Sequence, residues 1–410
     1  MENERKTVIT GMGMVTPLGG NVDTTWQNLL AGRSGARKIS LFDANDYETQ
    51  IACEVSPEFE AQAAKIIAKR DRKKMTRTTR MAMLAAQEAI VMSGIDFDRL
   101  NRQRVAVIMG VITSSYNEME REESDAQIII KSMPNAPSAW ISLHYGLEGP
   151  NFNVSTACAS SAYALGLGHQ MIKSGLADVV IAGGADSHIA PECIKGFNQI
   201  LAMSVRNETP ETASRPFSLS RDGFVMGEGA GILVLESEAG ARDRNAPIYG
   251  ELAGYALTSE AIDMTAPKEN GAGMAVTMER ALADAGASKA EIDYINAHGT
   301  ATYLNDKYET MGIKSCFGSR GKELAISSSK SMLGHTLGAA GAIEGIITLL
   351  SIYHSRVTPT INYQDADPEL DLDYVPNQAR DMGIRAALSN SFGFGGHNAS
   401  LVFKKYGITG

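Results

Sequence analysis

Short apolar runs alternate with stretches rich in small residues along most of this chain. Phe152 and Val154 are separated by one polar residue, and this period-two pattern predicts a short buried strand. The run from Cys158 to Gln170 is rich in small residues and predicts a tightly packed helix. Cys158 is therefore expected at a strand-to-helix turn.

The pattern of strands and helices occurs twice. Strands predicted at 7–13, 104–110, 179–186 and 229–237 have counterparts in the same order at 249–255, 292–299, 385–391 and 398–405, and the strand and helix around Cys158 match 325–350. Weak repeats also arise in α/β chains from similar strand patterns, but five matches in one order favour duplication. We therefore predict an α/β fold of two similar halves, residues 1–245 and 246–410. If the halves face each other, the helices beginning at Cys158 and near His335 direct their N-termini at a shared cleft.

Composition and charge narrow the functional class. Of 410 residues, 44% are apolar and 40 are glycine, which indicates a packed, turn-rich globule rather than a disordered chain. The net charge of −9 argues against nucleic-acid binding, which needs a basic surface. The four cysteines, Cys53, Cys158, Cys193 and Cys316, lack CxxC or metal-ligand spacing, so we expect a reduced, cytoplasmic protein without structural disulfides or a metal.

No targeting or membrane segment is predicted. The first residues pass from charged positions directly into a strand, without the apolar core of a signal peptide. The most apolar later stretch, 338–353, contains Glu344 and is too short to cross a bilayer.

The candidate catalytic residues are one cysteine and two histidines. A thiol at the start of a helix lies near unpaired N–H groups and the positive end of the helix dipole, so we expect Cys158 to have a lowered pKa and to form a nucleophilic thiolate. The alternative is a small core residue, because free cysteines are often buried. His298 in NAHGTAT and His335 in KSMLGHTLGAAG lie at glycine-flanked strand ends; a lone histidine is more often structural, but two in such positions favour catalysis. The stretch SNSFGFGGHN is either a hairpin turn or backbone that approaches a ligand closely.

Together these motifs resemble one family. TACASS around Cys158, NAHGT around His298, KSMLGH with GAAGAIE, and NSFGFGG resemble the elongating β-ketoacyl-[acyl carrier protein] synthases of the thiolase-like superfamily. The resemblance covers essentially the whole chain, with four motifs in the family's order and spacing. It implies a thiolase-like fold in which two pseudo-duplicated αβαβα halves form a five-layered core.

The resemblance also implies roles for the site residues. Cys158 would accept the acyl chain, and the backbone N–H groups of Cys158 and Phe394 would form an oxyanion hole. His298 and His335 would hydrogen-bond the malonyl thioester carbonyl and stabilise the enolate that forms as CO2 leaves. Lys330 would orient the histidines, and Phe394 would also act as a gate that admits malonyl after Cys158 is loaded. The other implied residues contact substrate (Thr300, Thr302, Phe392, Gly395) or form an acidic supporting shell (Asp306, Glu309, Glu344).

The implied reaction is decarboxylative Claisen condensation of malonyl-carrier protein with a cysteine-bound acyl chain. No cofactor is expected to be bound, because the phosphopantetheine arm of the acyl carrier protein supplies the substrate. Starter-type synthases pair histidine with asparagine, and biosynthetic thiolases have a second catalytic cysteine near the C-terminus. This chain has His335 as the second partner and no cysteine after Cys316, which favours elongation on a carrier protein.

A basic run predicts the surface that binds an acidic carrier protein. Between 65 and 80 the chain has eight basic residues and one acidic residue. Such a cluster is either a solvated helix face or a surface that steers docking. We expect a docking surface formed by Lys65, Lys69, Arg70, Lys73 and Lys74, with Arg206 nearby.

Departures from the family leave the pathway open. Where many fatty-acid synthases have Asp-Ala-Tyr-His-Met-Thr, this chain has EAIDMT at 260–265; Tyr303 replaces a common proline, and 111–137 is shorter and more acidic than the usual loop. The function is therefore fatty-acid elongation or, as the alternative, a ketosynthase subunit of a type II polyketide or polyene system that works with a chain-length-factor partner. A non-catalytic partner subunit is disfavoured by the retention of Cys158, His298 and His335. The protein is expected to be a homodimer or a heterodimer with such a partner.

Overall fold

The structure is a computed structural model, and it describes residues 5–114 and 127–407. Much of the acidic stretch compared above with the family's loop, including the charged residues near 119, lies outside the described residues. The strands are β1 (Thr7–Val15), β2 (Ala36–Lys38), β3 (Ile51–Cys53), β4 (Val105–Gly110), β5 (Asn151–Val154), β6 (Val179–Asp186), β7 (Gly229–Ser237), β8 (Gly250–Ser259), β9 (Ile292–Asn296), β10 (Ala325–Ser327), β11 (Arg356–Val357), β12 (Arg380–Asp381), β13 (Ala386–Gly393) and β14 (His397–Lys404).

Helices connect and cover these strands. They are α1 (Val22–Leu30), α2 (Glu58–Ile66), α3 (Lys69–Arg72), α4 (Arg77–Ser93), α5 (Ile128–Ser132), α6 (Ala136–Tyr145), α7 (Ser160–Lys173), α8 (Pro191–Gln199), α9 (Glu238–Asp243), α10 (Ala272–Asp284), α11 (Tyr303–Phe317), α12 (Lys330–Leu333) and α13 (Ala340–His354). Short 3-10 turns occur among the described residues, and two of them, Leu337–Ala339 and Phe394–Gly396, adjoin the candidate site.

The main sheet repeats one strand order in both halves. Its ten strands run β10-β9-β13-β14-β8-β1-β7-β6-β4-β5. Counted outward from the centre, β1-β7-β6-β4-β5 and β8-β14-β13-β9-β10 hold corresponding strands in corresponding places. The two halves join where Thr7–Ile9 of β1 pair antiparallel with Gly250–Leu252 of β8. The predicted duplicated α/β fold is confirmed in this topology, and the predicted division at 245/246 lies in the connection between α9 and β8.

The helices and the two half-sheets form five layers, because each layer buries an apolar face against the next. Ala162 and Leu165 of α7 and Ile343 and Ile346 of α13 share a buried cluster with inward side chains of both half-sheets. On the outer face of the first half, α4 packs against β1, β6 and β7. On the outer face of the second half, α10 and α11 cover β9, β13 and β14. The central α7–α13 layer is therefore where the two halves meet.

The helix at 337–354 is a core element. The expectation that this stretch is too short to cross a bilayer was wrong: its 18 residues, with a mean hydropathy of 1.3, are long and apolar enough to do so, but 89% of them are buried inside the protein. An apolar helix covered on all sides needs no polar face, which accounts for its composition.

The expectation that Phe152 lies in a buried strand was wrong. β5 is the last strand of the sheet, and Phe152 is 37% exposed. Alternation of apolar and polar residues indicates that a strand buries one face, but it does not tell an inner strand from an edge strand. The exposed apolar residues Ile129, Ile130 and Met133 lie on or next to the nearby α5.

Close packing of α7 and α13 depends on Gly341. A Cβ on this residue would lie 2.7 Å from the Cβ and the N atom of Ala162 in α7. The Ala342 N–H also donates to Ser161 Oγ at 2.9 Å, which fixes the separation of the two helices. There is therefore no room for a side chain at this crossing.

We expect Gly341→Ala to lower the free energy of unfolding by about 1–3 kcal/mol, because it overpacks this crossing. The matched control is Gly196→Ala in α8, where a Cβ has no neighbour within 4 Å. Gly196→Ala should raise the free energy of unfolding by up to about 1 kcal/mol, because alanine loses less backbone entropy than glycine when a helix forms. Urea denaturation measures both, and equal effects of the two changes would contradict the packing argument.

Candidate active site

Cys158 lies in a sharp turn between β5 and α7. Ala157 has φ +48°, a left-handed conformation that costs a non-glycine residue about 1 kcal/mol or more. Ser160 holds this turn: its hydroxyl donates to the Ala157 carbonyl at 2.6 Å and accepts from the Thr156 N–H at 2.9 Å. The helix begins at Ser160, two residues after Cys158, so the sulfur is presented at the N-terminal end of α7.

The β13–β14 turn contacts this cysteine turn directly. A Cβ at Gly393 would lie 2.9 Å from the Thr156 carbonyl oxygen and 3.2 Å from the Cys158 N atom. The backbone N–H groups of Phe394 and Cys158 both face the Cys158 sulfur. Two N–H donors around one sulfur form a site where negative charge on a bound oxygen can be stabilised.

The second half has an equivalent turn without a nucleophile. Leu337, at φ +50°, corresponds to Ala157, and Gly338 corresponds to Cys158. The Gly338 N–H donates to Asp186 Oδ2 at 2.9 Å, so a carboxylate of the first half occupies this second anion-binding position. The two turns lie at the N-terminal ends of the packed helices α7 and α13.

His298 and His335 lie together beside Cys158. Their ring centroids are 5.3 Å apart and the rings are nearly perpendicular, at 85°. Burial, and then the positive charge of Lys330, lower the pKa of both imidazoles well below the ordinary value, so both are neutral near pH 7. The Leu337 N–H donates to His335 Nδ1 at 3.3 Å, which leaves the proton of this neutral ring on Nε2.

Acidic residues behind the histidines fix the backbone. Glu309 accepts hydrogen bonds from the N–H groups of His298 and Gly299, both at 2.8 Å. Asp306 accepts from the Phe217 N–H at 2.7 Å and from the Ala301 N–H at 3.2 Å. Burial raises the pKa of Glu309 to about 7, while its two N–H donors oppose that shift.

Lys330 and Glu344 form a buried ion pair next to this shell. Both side chains are 3% exposed, so the charge of Lys330 acts on the site through a medium of low dielectric constant. Burial raises the pKa of Glu344, and Lys330 opposes the shift. The pair lies beneath the imidazoles and forms no part of the cavity wall.

A cavity of about 400 Å³ connects these residues to the surface. Of the predicted residues, Cys158, His298, His335, Thr300, Thr302, Phe392 and Phe394 line it. Gly395 does not: its N–H is bonded to the Met264 carbonyl at 2.7 Å, and its neighbours Gly393 and Gly396 line the wall instead. Lys330, Asp306, Glu309 and Glu344 lie behind the wall, and the substrate contacts expected for Thr300, Thr302, Phe392 and Gly395 stay predictions.

The expected lowered pKa of Cys158 was wrong for the ligand-free protein. Burial raises the pKa of the thiol to about 12; the charge of Lys330 and the N–H groups of Phe394 and Cys158 oppose this shift, and the charge of Asp186 adds to it. Cys158 is half-buried in the cavity wall, and sequence position, which identified the helix terminus, could not show that desolvation by this wall outweighs the terminus. The thiol is therefore protonated at neutral pH before a ligand binds.

The basic residues predicted for docking lie on α2 (Lys65), on α3 (Lys69 and Arg70) and directly after α3 (Lys73 and Lys74). Lys65, Lys69, Arg70 and Lys73 are exposed, and Lys74 is half-buried. Arg206 is half-buried and lies 3.5 Å from Asp222, which lines the cavity. Two other members of the basic run, Arg77 and Arg80, form ion pairs with Glu228 and Glu60.

Sequence reasoning missed several residues that shape the site. Ser160 fixes the cysteine turn, Asp186 occupies the second turn, and the buried Arg221 pairs with Asp367 at 2.8 Å next to Asp306. Ser160 lies inside the TACASS motif and could have been inferred from it. Asp186 and Arg221 come from distant parts of the chain, and no local pattern marks them.

Comparisons with known proteins agree along the whole chain. Residues 4–241 match the family model "Beta-ketoacyl synthase, N-terminal domain", and residues 249–364 match "Beta-ketoacyl synthase, C-terminal domain". The 3-oxoacyl-[acyl-carrier-protein] synthase 2 of Staphylococcus aureus (strain COL) is 42% identical over 419 residues, which cover 99% of this chain and 100% of that protein.

Solved structures of ketosynthases superpose closely. The ishigamide ketosynthase/chain length factor has a TM-score of 0.91 at 35% identity and covers 99% of this chain and 100% of that one. A type II polyketide synthase acyl-carrier protein in complex with its ketosynthase bound to the hexaketide has a TM-score of 0.88 at 33% identity, with 98% and 100% covered.

We expect the alkylation rate of Cys158 by iodoacetamide to keep rising above pH 9, because burial holds the thiol pKa near 12. Peptide mapping by mass spectrometry at a series of pH values gives the rate for Cys158 itself. Cys193, which is half-buried, provides an internal comparison in the same digest. A rate that reaches its plateau below pH 8 would contradict the raised pKa.

Proposed function

Because this chain belongs to the β-ketoacyl synthase family, we propose that it elongates acyl chains by decarboxylative condensation of malonyl-carrier protein. The observation that carries the proposal is one cavity lined by Cys158, His298 and His335. A nucleophile alone would support acyl transfer. Two neutral imidazoles beside it add what decarboxylation requires, which is hydrogen-bond donors for an enolate oxygen.

In the first half-reaction, Cys158 accepts an acyl group. Its sulfur attacks the acyl thioester carbonyl, the bond to the phosphopantetheine sulfur breaks, and that sulfur takes up the proton released by the cysteine. The carbonyl oxygen becomes an oxyanion in the tetrahedral intermediate, and the N–H groups of Cys158 and Phe394 are its donors. Since the thiol starts protonated, its proton leaves as the bond forms and passes to the departing phosphopantetheine sulfur.

In the second half-reaction, the malonyl thioester loses CO2. The bond from the malonyl C2 to its carboxylate breaks, and the electron pair is held as an enolate whose oxygen accepts a hydrogen bond from Nε2 of His335 and one from His298. The enolate carbon then attacks the acyl carbonyl on Cys158, a carbon–carbon bond forms, and the cysteine sulfur leaves. Neutral imidazoles suit this step because they donate hydrogen bonds to the enolate oxygen and do not form an ion pair with the malonyl carboxylate, as imidazolium rings would.

Other residues have supporting roles in this proposal. Thr300 and Thr302 line the path of the phosphopantetheine arm, and their hydroxyls lie 2.8 Å apart. Lys330 supplies positive charge behind the imidazoles, and Glu309 holds the backbone of His298. The phosphopantetheine arm brings the substrate, and we propose no further cofactor. Phe394, 37% exposed at the turn that contacts Cys158, is the proposed gate.

We propose an acidic acyl carrier protein as the partner that delivers the arm. One structural neighbour is a ketosynthase in complex with an acyl-carrier protein, which supports a partner of this kind. The docking surface proposed here consists of Lys65, Lys69, Arg70, Lys73, Lys74 and Arg206. Exposed lysines attract an acidic partner over a distance of about 10 Å at ordinary ionic strength.

A second subunit would cover the open edge at β5. Phe152 and the apolar residues of α5 are exposed there, and an unpaired edge strand with apolar neighbours is a typical association surface. The partner is a second copy of this chain in fatty-acid elongation. It is a chain-length-factor-like subunit in the alternative, polyketide or polyene elongation, which is supported by likeness to the ishigamide ketosynthase/chain length factor. A cytoplasmic location remains a prediction from the cysteine pattern.

We expect His335→Ala to slow decarboxylation of malonyl-carrier protein by about 10²–10³-fold, because it removes one of two donors to the enolate oxygen. Transfer of a radiolabelled acyl group to Cys158 should fall much less, since the donors for that step are backbone N–H groups. The control is Cys158→Ala, which should abolish acyl transfer and leave the fold intact. Equal losses in both half-reactions of His335→Ala would contradict the division of roles, and undiminished condensation by Cys158→Ala would contradict the proposed reaction.

For the docking surface, we expect the double change Lys69→Glu and Lys73→Glu to raise KM for the carrier protein and to weaken its dependence on salt. The control reverses two exposed lysines outside this surface, Lys38→Glu and Lys405→Glu, and so changes net charge equally. Steady-state kinetics between low and high ionic strength measure both variants. If the two double variants have the same KM, net charge rather than the docking surface is responsible.

A further inference from the structure

One wall of the cavity becomes steadily more exposed between His298 and the start of α11. His298 is 1% exposed, Thr300 is 6% exposed, Thr302 is half-buried, and Tyr303 is 57% exposed. All four line the same cavity. This short segment therefore leads from the catalytic residues to the mouth, and Tyr303 marks its outer end.

Two anchored cations lie within about 6 Å of the centroid of the Tyr303 ring. The guanidinium carbon of Arg221 lies 5.1 Å from the ring centroid, and Lys307 Nζ lies 5.7 Å from it. Arg221 is held by Asp367, and Lys307 is held by Glu369, both at 2.8 Å. Cations within about 6 Å of an aromatic ring attract it, so these two contacts favour the position in which the ring is found.

The backbone of Tyr303 is fixed as well. Tyr303 is the first residue of α11, and its carbonyl accepts a hydrogen bond from Arg221 at 3.3 Å. A ring that is restrained on its backbone and by its neighbours loses little entropy when a ligand packs on it. Because the ring is still more than half exposed at the cavity mouth, it has free surface for such a ligand.

We propose that Tyr303 is a further substrate-positioning residue, whose ring forms a platform for the outer part of the phosphopantetheine arm. The inference rests on the proposed function, which brings that arm through this cavity. The outer part of the arm carries two methyl groups and amide bonds, and an aromatic face packs well against both. The chain has this ring where proline is common in fatty-acid elongating synthases, so the platform is a feature of this chain rather than of the general site.

The test compares substrates that differ in the length of the arm. Malonyl-pantetheine and malonyl-carrier protein contain the outer part of the arm, whereas malonyl-N-acetylcysteamine contains the thioester end without it. We expect Tyr303→Ala to lower kcat/KM for the two long substrates about five- to tenfold relative to the short one, mainly through KM, because a lost aromatic contact has an effect of this size. Tyr303→Phe keeps the ring and should preserve the wild-type ratio.

Tyr353→Ala is the matched control, since Tyr353 is a 51% exposed tyrosine that does not line the cavity. It should leave the ratio of long to short substrates unchanged. Equal losses of Tyr303→Ala with long and short substrates, or a loss in Tyr303→Phe as large as in Tyr303→Ala, would overturn the platform while leaving the condensation reaction standing. Wild-type protein that forms no β-ketoacyl product from any of these thioesters would instead contradict the proposed function. Thermal unfolding of each variant shows whether it is folded. A misfolded variant would lose activity with all substrates alike, unlike a variant that lacks only the platform.

Discussion

The close crossing of α7 and α13 is the constraint on which the rest of this structure depends. Gly341 lies against Ala162 without space for a side chain, and Ser161 bonds the N–H of Ala342 across the same contact. The helices begin at the two equivalent turns, so their crossing brings Cys158 of one half and His335 of the other to a common cavity. A wider crossing would separate the nucleophile from the imidazoles without changing any residue that reacts.

Duplication gave two similar turns, and the site uses them differently. The first turn presents a sulfur beside the N–H groups of Phe394 and Cys158, whereas the second has glycine in the equivalent position and its N–H is bound to Asp186. A carboxylate within the fold therefore satisfies the anion-binding position that is not used for catalysis. Both imidazoles lie in segments that follow strands of the second half, His298 after β9 and His335 after β10, so each half contributes what the other lacks.

Burial keeps all three reacting groups uncharged: it lowers the pKa of the imidazoles and raises the pKa of the thiol. Neutral imidazoles suit the proposed role as hydrogen-bond donors to an enolate near pH 7, and the raised pKa keeps the thiol protonated there. The charge of Lys330, itself balanced by Glu344, favours both neutral imidazoles and a thiolate. The site is thus set for a nucleophile that is activated during substrate binding rather than stored as an anion.

The sequence by itself determined the duplicated α/β fold, the turn at Cys158, and the identity of the cysteine and the two histidines, because period-two strands, small-residue helices and glycine-flanked motifs are local patterns. It did not reveal that β5 is an edge strand, that Gly393 and Gly396 rather than Gly395 line the cavity, or that Asp186 and Arg221 lie at the site. Those facts depend on which distant segments pack together. The pKa of Cys158 was also beyond the sequence: the helix terminus that favours the thiolate is visible in the order of residues, but the exclusion of water that opposes it is a property of the tertiary structure alone.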